Sequence, residues 1–182
     1  MKKVVLYIAM SLDGYIADKN GGVSWLVGED KNNQASSYEE FIKGVDTIIM
    51  GQNSYNQITT ELSPDNWVYE GMQTYVLTHR NMISRRGIEF IDGDVATLIN
   101  RIRLNDVNEG KDIWLCGGAD VVHEFMEKDL IDRYHITVIP TILGDGIRLF
   151  NKMDNSVLLK HISNDAINGM VDIVYDRRLD IN

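Results

Sequence analysis

The sequence predicts an α/β fold of three layers: a central, mostly parallel sheet of about eight strands with antiparallel C-terminal strands, and helices on both faces. Three observations predict it. Eight runs of strand length, rich in β-branched and aromatic residues, recur along the chain. Helical periodicity alternates with them through the first two-thirds, and the closing strands have no helical connectors between them.

The first strand, 4–10, belongs to a β-rich stretch that breaks at a Ser11-Leu12-Asp13-Gly14 turn and then resumes to Asp18. A loop over 20–36 follows, with Gly21, Gly22 and Gly28. Ser37-Tyr38-Glu39-Glu40 has capping-box spacing and predicts a short helix through Lys43. The run 47–50 is a buried strand ending at Gly51, and the polar set after it opens a short helix. A second loop, 59–71, contains Pro64 and leads to strands 74–78 and 88–91. Asp94 caps a helix whose Val95, Leu98, Ile99 and Ile102 follow i, i+3, i+4, i+7. Strand 112–116 runs into Gly117-Gly118, and the helix beyond buries Val121, Val122, Phe125 and Met126. Strands 134–142, 157–164 and 170–176 close the sheet, with Gly144 and Gly146 marking a turn or bulge.

Composition fits one domain over 1–182. A chain of 182 residues can bury most of its apolar surface in one core, and 44% hydrophobic residues with two prolines argue against disorder. No apolar run approaches the roughly 18 residues of a membrane span, and the N-terminus lacks a signal-peptide core. A cytoplasmic protein without a membrane partner is expected. Cys116, the single cysteine, excludes an internal disulfide and fits a reducing compartment. The net charge of −9 excludes nucleic acid as an expected partner. His79, Arg80, Arg85 and Arg86 nevertheless gather positive charge that suits a small anion, with Arg85 and Arg86 reading as a solvated loop. The four histidines show no zinc spacing, so no metal is expected, and neither a Walker loop nor the Pro-Cys-x-x-Cys of a zinc deaminase is present.

The chemistry concentrates where strands end. Trp114-Leu115-Cys116-Gly117-Gly118 opens directly into a helix, bringing backbone N–H groups and a positive helix end to one spot, which suits a phosphate; a plain tight turn is the alternative. Gly51, Thr78 and Gly117 all fall at carboxyl ends of strands, where ligands bind in such sheets.

Five segments, Ser11-Leu12-Asp13-Gly14, Met50-Gly51-Gln52-Asn53-Ser54-Tyr55, Leu77-Thr78-His79-Arg80, Cys116-Gly117-Gly118-Ala119 and the run from Pro140 to Phe150, occur in an order and spacing that span nearly the whole chain. On these segments the chain resembles the dihydrofolate reductase-like superfamily, and most closely the branch of riboflavin biosynthesis reductase domains in stand-alone form. The resemblance implies a dihydrofolate reductase-like fold, hydride transfer from NADPH to a C=N carbon of a pteridine- or pyrimidine-like small molecule, and a homodimer. It places Gly117, Gly118, Ala119 and Asp120 against the cofactor pyrophosphate, and Gly51, Gln52, Asn53 and Ser54 on its other side. Thr78, His79 and Arg80 then approach the adenosine ribose and its 2′-phosphate, where Arg80 favours NADPH over NADH. Ala9, Ile16, Cys116 and Val121 complete the cofactor set. Gln52 departs from the resemblance, since many relatives carry a basic residue there.

On the substrate side the resemblance leaves alternatives. Dihydrofolate reductases place an acid five residues after a loop tryptophan, which from Trp25 gives Asp30, and four before a helix phenylalanine, which from Phe41 gives Ser37. With Ser37 in that place, pterin recognition lacks its carboxylate and folate is disfavoured. The riboflavin-type reading gives weight instead to Ser11 and Asp13. Candidate catalytic acids are therefore Asp13 and Asp30, and candidate substrate residues are Ser11, Trp25, Glu29 and Ser37. An authentic dihydrofolate reductase, and a cofactor-binding sensor or interaction module without turnover, are the alternatives.

Overall fold

A computed structural model describes residues 1–33, 36–106 and 111–178. Its strands are β1 (Val4–Ser11), β2 (Tyr15–Ala17), β3 (Val45–Gly51), β4 (Gln73–Leu77), β5 (Ile88–Ile91), β6 (Asp112–Gly117), β7 (Arg133–Ile139), β8 (Ile147–Arg148), β9 (Leu159–Ile167) and β10 (Met170–Arg177). The helices are α1 (Tyr38–Lys43), α2 (Gln52–Gln57), α3 (Val95–Leu104) and α4 (Ala119–Glu127). Eight strands form one sheet in the order β5-β4-β3-β6-β1-β7-β10-β9, parallel from β5 through β7 and antiparallel at β10 and β9. This is the mostly parallel sheet with antiparallel C-terminal strands expected from the sequence.

Alternation along the strands sends side chains to two cores. Val4, Leu6, Ile49, Ile113, Leu115, Tyr134 and Ile136 face α3 and α4, which contribute Leu98, Ile99, Val122 and Phe125. Ile48, Met50, Val76 and Trp114 face the other way, toward Tyr55 of α2 and Tyr38 and Phe41 of α1. Asp94 caps α3 as expected, its carboxylate accepting from the Thr97 N–H at 2.7 Å and hydroxyl at 2.9 Å.

Four local expectations are corrected. Ser37 precedes α1 but forms no side-chain cap, and Glu40 pairs with Lys43 at 2.8 Å, so the capping box is absent. Strand 134–142 stops at Ile139, since Pro140 has no N–H to continue a ladder. Strand 157–164 instead begins later and runs to Ile167, where Asn168 and Gly169, both at positive φ, make a two-residue turn into β10. The loop expected at 59–71 begins inside a π-helical turn, Ile58–Leu62. There the Thr59 and Thr60 hydroxyls donate back to the Tyr55 and Asn56 carbonyls, an alternative to regular helix pairing.

Candidate active site

Strand order creates a crevice. After β3 the chain moves outward through α2 to β4, whereas after β6 it moves through α4, on the opposite face, past β1 to β7. The carboxyl ends of β3 and β6 therefore flank a topological switch point, where open α/β sheets bind ligands. Met50 pairs with Gly117 there. Gly117 has φ +116°, a conformation suited to glycine, and its peptide to Gly118 is cis. A Cβ on Gly51 would stand 3.0 Å from Val121 Cγ2, and one on Gly118 would stand 3.5 Å from Ser54 Oγ. Gly51, Ser54, Gly118 and Val121 thus meet at one place.

The floor of this crevice is polar. No side chain caps α4, and the first-turn N–H groups of a helix have no intrahelical acceptor, so Ala119, Asp120 and Val121 offer bare donors at the positive end of the dipole. Gln52 Nε2 donates to Asn56 Oδ1 at 2.7 Å, while its Oε1 is buried with no partner. Glycine backbone without side-chain obstruction and free backbone donors fit a phosphate-bearing cofactor. The Cys116 side chain is half-buried and packs with the aromatic cluster of the α1 face, and desolvation pushes its thiol up to about 12.

The neighbouring strand end extends the crevice. Thr78 Oγ1 accepts from the Arg80 N–H at 3.1 Å, His79 Nδ1 lies 2.9 Å from Asp92 Oδ1, and the Arg80 side chain is exposed beyond β4. The other arginines have separate places. Arg85 and Arg86 are exposed, as expected; Arg85 donates to the Tyr55 hydroxyl at 3.0 Å, and Arg86 lines a cavity of about 710 Å³ with Lys2, Asp46 and Gln73. That cavity lies at the amino ends of the parallel strands, away from the crevice.

At the end of β1, Ser11 is fully buried. Its hydroxyl donates to Asp13 Oδ1 at 2.6 Å and accepts from the Tyr15 N–H at 3.0 Å. Asp13 also accepts from Leu143 N at 3.1 Å and Gly144 N at 2.7 Å. The Ser11 hydroxyl, with these backbone donors, holds the Asp13 carboxyl down at about 2. These bonds hold the Ser11-Asp13 turn against residues 143–144. Ile16 packs under this turn on the first core.

The long loop bridges the crevice end of the molecule. Gln57 Nε2 donates to the Gly21 carbonyl at 2.9 Å, tying one side to α2, and Trp25 Nε1 donates to Gly22 O at 3.2 Å. On the other side, Glu29 N donates to Asn168 O at 3.0 Å and Asp30 N to Asn168 Oδ1 at 2.9 Å, clamping the loop to the β9–β10 turn. The Asp30 carboxylate is exposed and accepts from Asn32 N at 2.9 Å, as in an Asx turn. The two candidate acids therefore rest on separate supports.

Beneath α1 lies a polar group that sequence reasoning missed. Ser37 Oγ and Tyr7 Oη are 3.0 Å apart, Tyr7 stacks on Phe41 at 4.1 Å, and His135 sits edge-on to Tyr7 at 4.6 Å. Thr137 Oγ1 donates to Asp172 Oδ1, and His135 Nε2 is 3.7 Å from the same oxygen. The available signal was a polar residue at alternate positions of otherwise apolar strands: His135 and Thr137 in β7, Asp172 in β10. Burial raises the Asp172 carboxyl, but His135, Thr137 and Ser37 outweigh it and the net direction is down. The Tyr7 hydroxyl is pushed up, chiefly by burial.

With this geometry in place, comparison with known proteins is informative. The profile of the RibD C-terminal domain matches residues 2–175. YwjB of Bacillus subtilis (strain 168), an uncharacterized protein, is 34% identical over 177 residues, covering 97% of this chain and 98% of YwjB. A crystal structure from Shewanella sp. PV-4, described as a riboflavin biosynthesis protein, superposes with TM-score 0.84 at 28% identity, covering 98% of this chain and all of that one. Dihydrofolate reductase from Enterococcus faecalis, complexed with NADP(H), superposes with TM-score 0.67 at 18% identity over 96% of each chain, and shares the fold. No helix among the described residues is long and apolar enough to cross a membrane, and none of their His, Cys, Asp and Glu side chains group as a metal site.

Proposed function

Because the chain belongs to the RibD C-terminal domain family, we propose that it is an NADPH-dependent reductase acting on a C=N bond of a small pyrimidine- or pteridine-like molecule in the cytoplasm. The observation that carries this reading is the glycine-lined, donor-rich crevice between the ends of β3 and β6. Gly117, Gly118 and the first turn of α4 hold the pyrophosphate, and Gly51, Gln52, Asn53 and Ser54 form the facing wall. Thr78, His79 and Arg80 take the adenosine end, with the Arg80 guanidinium pairing to the 2′-phosphate. NADPH supplies the hydride when bound. The protein positions the acceptor: Ala9, Ile16 and the Ser11-Asp13 turn shape the floor, while the loop carrying Trp25, Glu29 and Asp30 excludes water from above. The nitrogen of the reduced bond takes a proton, which the ionised Asp13 does not supply at neutral pH.

Fluorescence titration with NADPH, followed by absorbance at the reduced-nicotinamide band after adding dihydrofolate, tests the reading. NADPH binding with oxidation by dihydrofolate establishes a folate reductase. Binding with turnover of a ribosylaminopyrimidine but not of dihydrofolate establishes the riboflavin-type substrate, and absence of NADPH binding overturns the reading. The same reading takes a homodimer as the working form, and light scattering that returns the single-chain mass of 20.7 kDa would remove that part.

A further inference from the structure

Cross-strand register places a buried carboxylate in line with the crevice. Ala9 of β1 pairs with Thr137 of β7, and Thr137 pairs with Asp172 of β10, so the three side chains leave the sheet in one row beneath α1. At about 4.8 Å per strand, Asp172 lies roughly 10 Å from Ala9. It is only 8% exposed, yet neither Lys nor Arg reaches it among the described residues. The next residue along the row, on β9, is Asp165, which adds negative charge. The groups around the Asp172 carboxylate are the Thr137 and Ser37 hydroxyls and the His135 ring, with the Tyr7 hydroxyl one hydrogen bond further at Ser37.

A buried carboxylate with no Lys or Arg beside it is costly to keep. A second group there is also unsatisfied: His135 Nε2 is buried without a hydrogen-bond partner, and 3.7 Å to Asp172 is beyond hydrogen-bond length. The Asp172 side chain retains 10% exposure, and Thr137 and Ser37 beside it are half-buried.

We propose that Asp172 is the substrate-recognising carboxylate of this protein, its oxygens accepting from the paired N–H groups of a cyclic amidine or guanidine edge, as in a 2-aminopyrimidine ring. Thr137 and Ser37 orient the carboxylate, and His135 offers a further polar contact to the ring. The carboxylate that α1 lacks at Ser37 is supplied instead from β10, across the same cluster. Two carboxylate oxygens match two parallel N–H donors, and pairing with a protonated ring is charge-assisted. This inference rests on the reductase reading for the place of the substrate, and it specifies the ring chemistry that reading leaves open.

The test uses the full chain with saturating NADPH and 2,4-diamino-6,7-dimethylpteridine as probe, comparing the unaltered protein with Asp172→Asn and Asp172→Glu. The expected result is probe binding weakened at least about tenfold by Asp172→Asn and partly restored by Asp172→Glu, with NADPH affinity unchanged in both. The ultraviolet spectrum of the bound probe should be that of the protonated ring in the unaltered protein and of the neutral ring in Asp172→Asn, a signature that loosened packing does not produce. Equal affinity and equal spectra in the unaltered protein and Asp172→Asn overturn the inference, as does failure of the NADPH-loaded unaltered protein to bind the probe. Failure to bind NADPH would overturn the proposed function instead.

Discussion

Asp13 shows how a short polar residue becomes committed by its surroundings. The Ser11 hydroxyl and the Leu143 and Gly144 N–H groups supply its hydrogen bonds, and they favour the charged form. Because its folded value of about 2 lies below the ordinary carboxylate value of 3.8, its stabilising contribution is complete above about pH 4 and is lost as pH falls toward 2. Asp13→Asn should therefore lower the urea midpoint at pH 7, and the gap from the unaltered protein should close progressively between about pH 4 and 2. A gap that stays constant across that window would show that the carboxylate charge is not what holds the turn. Arg80 sits at the other extreme, exposed at a strand end with only its backbone N–H engaged. Arg80→Ala should weaken NADPH about tenfold, leave NADH unchanged and flatten the salt dependence of NADPH binding.

At the scale of elements, the ends matter more than the interiors. β6 ends in a glycine at φ +116°, where an added Cβ would also press on Ile8 Cδ1 at 3.3 Å. Gly117→Ala should cost about 1–3 kcal/mol in denaturant unfolding and reduce NADPH affinity, because the strained position faces the crevice. Unchanged stability would show that the backbone relaxes there without penalty. α3 depends on a single capping side chain, and Asp94→Ala should lower Tm by removing both bonds to Thr97. α1 has no such cap, and its place is set by Tyr7 and Phe41 stacking on the sheet. The element is short, and tertiary packing rather than its own propensity keeps it helical.

For the whole molecule, the two cores on opposite faces of one sheet carry stability, and the crevice falls where the connections diverge. Phe125 is fully buried between α4 and the sheet, so Phe125→Ala should cost about 3–5 kcal/mol by urea unfolding. A much smaller loss would mean that α4 collapses into the space. The central strand pairs join distant parts of the chain: β1 lies between β6 and β7, and β10 beside β7. This is why the Asp172 cluster was not legible in order along the chain, although each of its polar residues could be seen breaking an apolar strand.

Local pattern determined the eight strands, the helices between the early ones and the antiparallel finish, because periodicity, capping residues and the lack of helical connectors are local properties of the chain. The glycines at the ends of β3 and β6 were legible for the same reason, since a strand must stop before its helix begins. Register and enclosure belonged to the tertiary structure. Only it decided that Asp13 would be consumed by backbone donors 130 and 131 residues away, that Ser37 would turn from capping α1 toward Tyr7, and that Asp172 would lie in line with Ala9. The physical reason is that a polar side chain takes the partners left beside it when the sheet closes, and those partners come from strands that the sequence keeps far apart.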